Sequence, residues 1–331
     1  MFIKKDLRKI HQIMQDAAPP ENDAYTLGSD ESAAKRVKRE VLTELNLSRR
    51  IGEFQGSIHV LCQPFYAPSL QKLTRLSLYD CNLQSLDGVG FLGSTVEDGP
   101  GRICCPLLES LNVGRNPLKT LPDELSMLSR SLKELWCDDC QIQGSLPPCV
   151  VRLDNLERLH MAHNNVTSVP CEISNLKHLK ELCLDHNKLQ SIPTEIKSLE
   201  RLEILLLRHN ELNVLPDVPT NSLKLLHVSS NLLEELPKTL GSCSNLKQLV
   251  ANQNKLTRIP RGIESLTTLK RLNLSHNQIT FLPASFSTRF GDPDRTTGLC
   301  QGDNECTVYV GQNYFWMEDD ELGILRDDTR T

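Results

Sequence analysis

The chain has 331 residues, of which 39% are hydrophobic and 24% charged, and it carries a formal charge of −5. That balance gives no general case for nucleic acid as a partner, and the length exceeds a usual single domain unless the fold grows by repetition. Twelve cysteines with no secretion signal ahead of them point to a reducing compartment rather than a disulfide-built secreted domain.

Residues 1–14, MFIKKDLRKIHQIM, place Phe2/Ile3, Leu7, Ile10 and Ile13/Met14 at helical spacing. They predict a short helix that docks on the following domain or frays, with a membrane-surface or partner helix as the alternative. Its charges interrupt any apolar run long enough for a signal peptide or a membrane span. Residues 16–34 are polar and turn-rich, as a flexible linker is. Lys35-Arg36-Val37-Lys38-Arg39 reads as a solvated helix entering the next domain, with a nuclear-import or anionic-surface patch as the competing reading. These segments make up an N-terminal region of residues 1–41.

From residue 42 a pattern repeats. Its clearest copy is Leu179-x-x-Leu182-x-Leu184-x-x-Asn187-x-Leu189-x-x-Ile192-Pro193. Apolar residues two apart suit a short strand with one buried face. The Asn stands where the backbone turns away from the strand, and its amide can both donate to and accept from adjacent turns. Asn116, Cys140, Asn164, Asn187, Asn210, Asn231, Asn254 and Asn277 recur at intervals of 24, 24, 23, 23, 21, 23 and 23. The thiol of Cys140 still donates weakly at a site meant for Asn, and Cys81 holds the same place in an upstream copy, 73–86. Each of the eight copies from Asn116 to Asn277 closes on an apolar residue and Pro, from Leu121-Pro122 to Leu282-Pro283. Pro, with no amide hydrogen and a fixed φ, suits the start of the outer turn. Residues 42–54 form a degenerate first turn that caps the array. Downstream, Val308, Val310, Asn313 and Phe315 reproduce the pattern and predict an eleventh strand.

This LxxLxLxxNxLxxLP pattern resembles the short leucine-rich repeats of intracellular Ras-associated proteins: the Ras-suppressor family, scribble- and erbin-type scaffolds and the plant Ras-group proteins. One step, Ile142 to Pro147, resembles plant-type repeats instead. The resemblance implies an α/β leucine-rich-repeat solenoid of about 10–11 repeats, with a curved parallel sheet on its concave face. The repeat domain is expected over 42–316, with insertions near 88–105 and 287–306 and an acidic tail over 317–331.

Within the array, Cys81, Cys137 and Cys140 read as structural. Cys104-Cys105 and Cys300/Cys306 lie in the insertions, where a disulfide remains open, and no spacing argues for a metal. His163, His186, His209 and His276 share one repeat position and read as half-exposed fillers, with a stacked pH-sensitive strip as the alternative. Cys183, His160, His186 and Asp185 converge on adjacent turns, but nothing supplies an oxyanion site. No catalytic, cofactor-binding or metal residues are therefore expected, and no enzyme.

Residues between the buried leucines point outward from the sheet. This predicts a partner-binding surface of Trp136, Asp138, Arg158, His160, Cys183, Asp185, Ile204, Leu206, Arg208, Leu225, His227 and Val250. Its middle is apolar, and an excess of acids toward the N-terminal half predicts a partner with a basic rim. The resemblance implies a scaffold or regulatory adaptor of intracellular signalling with a protein partner such as a Ras-type small GTPase; a monomer, cytoplasmic or nuclear and without a nucleic-acid partner, is expected. A substrate-recognition adaptor of a ubiquitin ligase, an extracellular receptor fragment and an enzyme are the alternatives.

Overall fold

The computed structural model describes residues 43–50, 56, 58, 70–93, 105–260, 262–282, 284–294, 299–300 and 306–314. The N-terminal helix and linker, the 35–39 basic cluster, Cys104, Pro283, Phe315 and the acidic tail lie outside that set, as do the boundaries expected at 41 and 317. The chain divides into two compact units, Met1–Gln143 with Pro147–Asn164, and Gly144–Leu146 with Asn165–Thr331.

In the first unit, β1 (Glu44–Asn46), β2 (Arg75–Ser77), β3 (Ser110–Asn112), β4 (Glu134–Trp136) and β6 (Arg158–His160) pair in parallel and in sequence order. Each is three residues long, with one central leucine turned inward. Leu45, Leu76, Leu111, Leu135 and Leu159 fall in register and are all buried. The second unit repeats this design with β8 (Glu181–Cys183), β9 (Ile204–Leu206), β10 (Leu225–His227), β11 (Gln248–Val250) and β12 (Arg271–Asn273). Register is fixed because a slip of one residue would turn every leucine outward.

Beyond each strand the chain bends at a residue in the left-handed region. Arg49, Asp80, Arg115, Asp139, His163, His186, His209, Ser230, Gln253, His276 and Gln312 have φ between 52° and 64°. Asn, Asp and His tolerate that region better than most residues, which accounts for the SHN and DHN spellings. The ladder Asn follows at once. Asn210 accepts the Leu189 amide at 3.0 Å through Oδ1, while its Nδ2 donates to Leu184 O at 2.9 Å and to its own turn at Leu207 O, 3.1 Å. The same pattern recurs at Asn116, Asn164, Asn231, Asn254 and Asn277.

Cysteine at the ladder does only part of this work. The Cys140 thiol donates to Val113 O at 3.3 Å, as expected, but offers no amide oxygen to the turn before it. The Leu118 amide, which would have met that oxygen, turns instead to Asn116 O at 2.7 Å.

On the outer side the turns are short 3-10 helices. Those at Asp123–Leu128, Cys171–Asn175, Thr194–Ser198 and Lys238–Ser242 each follow a proline: Pro122, Pro170, Pro193 and Pro237. The plant-like step over 142–147 forms an additional strand, β5 (Gln143–Ser145), beside β7 (Asn165–Ser168).

The predicted eleventh strand is present. β14 (Thr307–Tyr309) pairs in parallel with β12, placing Val308 on Leu272, and Asn313 accepts the Ile279 amide at 3.0 Å. The insertion before it carries secondary structure of its own. It holds a helix, with α1 (Gly90–Gly93) in the first unit and α2 (Ala284–Phe290) here, and it supplies β13 (Leu299–Cys300), antiparallel to β14. Phe286 and Phe290 are buried with ring centroids 4.9 Å apart, and Arg289 closes the adjoining 3-10 turn by donating to Glu264 O and Leu266 O, each at 2.8 Å. A repeat array must end somewhere, and this hairpin covers the last parallel strand of the second unit.

Candidate recognition surface

Between the inward leucines, the flanking strand residues of each unit form an open face. In the first unit Trp136 and His160, cross-strand neighbours on β4 and β6, stack with centroids 3.9 Å apart and planes at 24°. Beside them Arg158 forms an ion pair with Glu134. Asp138 accepts the Ala162 amide at 2.6 Å. The acids expected to give this region its sign are thus engaged: Asp80 lies 3.9 Å from Arg49, Asp139 3.7 Å from Arg115, and Glu134 meets Arg158. Each of these three acids faces an arginine one repeat away.

In the second unit Ile204, Leu206 and Leu225 are half-buried and adjacent, with Leu225 opposite Ile204 and His227 opposite Leu206. Three of the expected contact residues are buried rather than outward-facing and exposed. Cys183 is 6% exposed, Val250 8% and Asp185 2%. The first two are short side chains flanked across the sheet by longer ones: Cys183 pairs with Leu206, and Val250 with His227 and Asn273. Strands only about 4.8 Å apart let large neighbours cover a small residue. Asp185 serves a different purpose. Its Oδ1 accepts the Arg208 amide at 2.8 Å and its Oδ2 accepts Arg208 Nε at 2.6 Å, so it holds the guanidinium of Arg208 in place.

His227 is also fixed, its Nε2 lying 2.7 Å from Ser229 Oγ. Burial holds its pKa below the usual histidine value; Arg208, Arg271 and His209 add to the effect and Asp185 opposes it. Of the histidine column, His186 and His209 do stack, with centroids 4.2 Å apart and planes at 16°, so the position is more than a filler.

The ten described cysteines are all free thiols, Cys300 and Cys306 among them. Burial raises the thiol pKa of Cys140 to about 12 and that of Cys243 to about 11, and it holds that of Cys137 well above the usual thiol value. Cys300 and Cys306, pushed to about 12 and about 11 chiefly by burial, are poor nucleophiles as they stand.

Sequence reasoning missed a line of lysines along the flank of the second unit. Lys224, Lys247 and Lys270 each precede a strand, and each is linked to the next by a backbone bond of 2.8 Å. Their signal in the sequence is that the residue just before each strand is as periodic as the leucines.

A leucine-rich-repeat family model matches residues 145–212 and 221–279. A leucine-rich-repeat protein of Leptospira interrogans is similar in structure, with TM-score 0.54 and 28% identity, over 79% of this chain and 67% of that one. The crystal structure of a TDR receptor is similar with TM-score 0.62 and 26% identity, over 82% of this chain and 43% of the receptor. A search of curated protein sequences returns no match.

Proposed function

We propose, from the premise that this chain is a leucine-rich-repeat protein, that it recognises another protein on the open face of its sheet. The supporting observation is the adjacent half-buried trio Ile204, Leu206 and Leu225, aliphatic side chains placed where a solvated sheet would carry polar ones. In the first unit the Trp136–His160 stack offers a rigid aromatic anchor of the kind that dominates interface energetics.

The finer reading is a scaffold or regulatory adaptor of intracellular signalling, with a small GTPase of the Ras class as partner. It rests on the resemblance of the repeat, and the free, buried thiols favour the reducing compartment it requires. Affinity capture with the full chain, compared with Trp136→Ala and Leu206→Asp, tests both levels. Loss of the captured proteins in at least one folded variant is expected. Equal capture by all three would sink the open-face reading. If the proteins lost include no small GTPase, the Ras-type partner is wrong and protein recognition stands.

A further inference from the structure

The residue just before each strand forms a row along one flank of each sheet, and the row has a charge rule. In the first unit it reads Glu109, Lys133, Glu157, with the Lys133 amide donating to Glu109 O and the Glu157 amide to Lys133 O. Lys133 Nζ lies 2.8 Å from Glu109 Oε1, and that hydrogen bond, with Glu109 and Glu157 nearby, holds its pKa above the usual lysine value. In the second unit Lys224 Nζ meets Glu203 Oε2 at 2.6 Å. Opposite charges thus sit on neighbouring rungs, as cross-strand pairing favours.

The rule then breaks. After Lys224 come Lys247 and Lys270, on successive rungs, with Arg271 beside Lys270. All of Lys247, Lys270 and Arg271 are exposed, and among the described residues none has an ion-pair partner. Like charges on adjacent rungs, about 4.8 Å apart, disfavour the fold. The geometry points to an acidic partner segment: an extended peptide stretch with two or three carboxylates, bound along Lys224, Lys247, Lys270 and Arg271 while the partner's apolar side chains cover Ile204 and Leu225. This rests on the protein-recognition reading and adds the partner's chemistry and register to it.

The spacing suits a peptide. Lys224 to Lys270 spans two rungs, about 10 Å, within the length of an extended stretch of roughly three to five residues, whose flexible acidic side chains can reach ammonium groups on successive rungs. Carboxylates there would make charge-assisted hydrogen bonds to each ammonium and to the fork of Arg271. A nucleic-acid strand fits less well, because the column beside the row holds Ile204, Leu225 and Gln248, with no ring on which a base can stack.

The test uses the full chain and a fluorescent octaglutamate peptide, followed by anisotropy at low ionic strength. The probe has no apolar side chain, so it reads the row alone, whereas protein capture reads the apolar face; each can fail without the other. Saturable binding by the wild type is expected, weakened by about tenfold or more in Lys247→Glu/Lys270→Glu. The control Lys188→Glu/Lys255→Glu makes the same charge change at exposed sites beyond the ladder and should stay within about twofold. Should the first variant fail to fold, Lys270→Gln and Arg271→Gln with the same readout replace it. No wild-type binding, or equal loss in both double variants, overturns the proposal. So does tighter row-dependent binding of a single-stranded DNA octamer or of phosphatidylserine vesicles. A rise of about tenfold in octaglutamate affinity when Glu318, Asp319, Asp320 and Glu321 are neutralised would assign the row to the chain's own tail and overturn the partner.

Discussion

At the scale of the residue, one amide serves two turns. Asn187 accepts the Val166 amide at 2.9 Å and donates to Leu184 O and Asp185 O at 3.1 and 3.2 Å. Asn187→Ala leaves the buried Val166 amide without its acceptor and takes one of two side-chain donors from Leu184 O, and should lower stability by about 1–3 kcal/mol. Cys140→Ala removes one weak donor whose neighbours have already re-paired, and should cost less. Denaturant midpoints at unchanged m decide; a larger loss at Cys140 would contradict the ladder account. His227 adds a pH effect. Its folded pKa lies below the usual histidine value of 6.5, so the unfolded chain binds more protons near that value. The contribution of His227 is present above about pH 6.5 and is lost as pH falls through 6.5 toward the lower folded pKa. His227→Gln should flatten the fall in denaturant midpoint between about pH 7 and pH 5; an unchanged slope would show that other groups cause it.

At the scale of the element, alternation decides everything. Leu205 and Leu207 are fully buried while Leu206 between them is half-exposed. Leu206→Asp should fold with a midpoint close to wild type, within about 0.5 kcal/mol for a surface site. Leu205→Asp or Leu207→Asp puts a charge in the core and should abolish the cooperative transition. Unfolding of Leu206→Asp would show that the strand face is misassigned. This much was legible in the sequence, because Leu-x-Leu with Asn three residues on leaves one register for each strand. Other features were not. Leu299-Cys300 is too short to show alternation, so β13 emerges only from its antiparallel pairing to β14. The burial of Cys183 and Val250 depends on the size of the side chains opposite, and the neutralisation of Glu134, Asp139 and Asp80 depends on arginines in other repeats. Such pairings are set by stacking, which a single repeat does not contain.

At the scale of the whole molecule, a repeat array is as sound as its ends, since each turn is buried only by its neighbours. In the second unit the end is made by the insertion. Val308 covers Leu272, Asn313 donates to Leu274 O at 3.0 Å and accepts the Ile279 amide, and Arg289 ties α2 to the turn at 263–265. Deleting 287–331 removes all three links together. It uncovers Leu272, Leu274 and Ile279, all now fully buried, along with a row of strand amides and carbonyls. An apolar, unpaired strand edge recruits another chain, so the truncated protein should elute as oligomers or aggregate, with loss of the sharp melting transition. Asn313→Ala in the full chain keeps the hairpin and strips only its ladder bonds. It should remain monomeric and lose about 1–3 kcal/mol, as at Asn187. Light scattering with size-exclusion chromatography separates the two. A truncated protein that stays monomeric and melts like the wild type would mean that β12 needs no cover, and the hairpin would then be an ornament on the array rather than its cap.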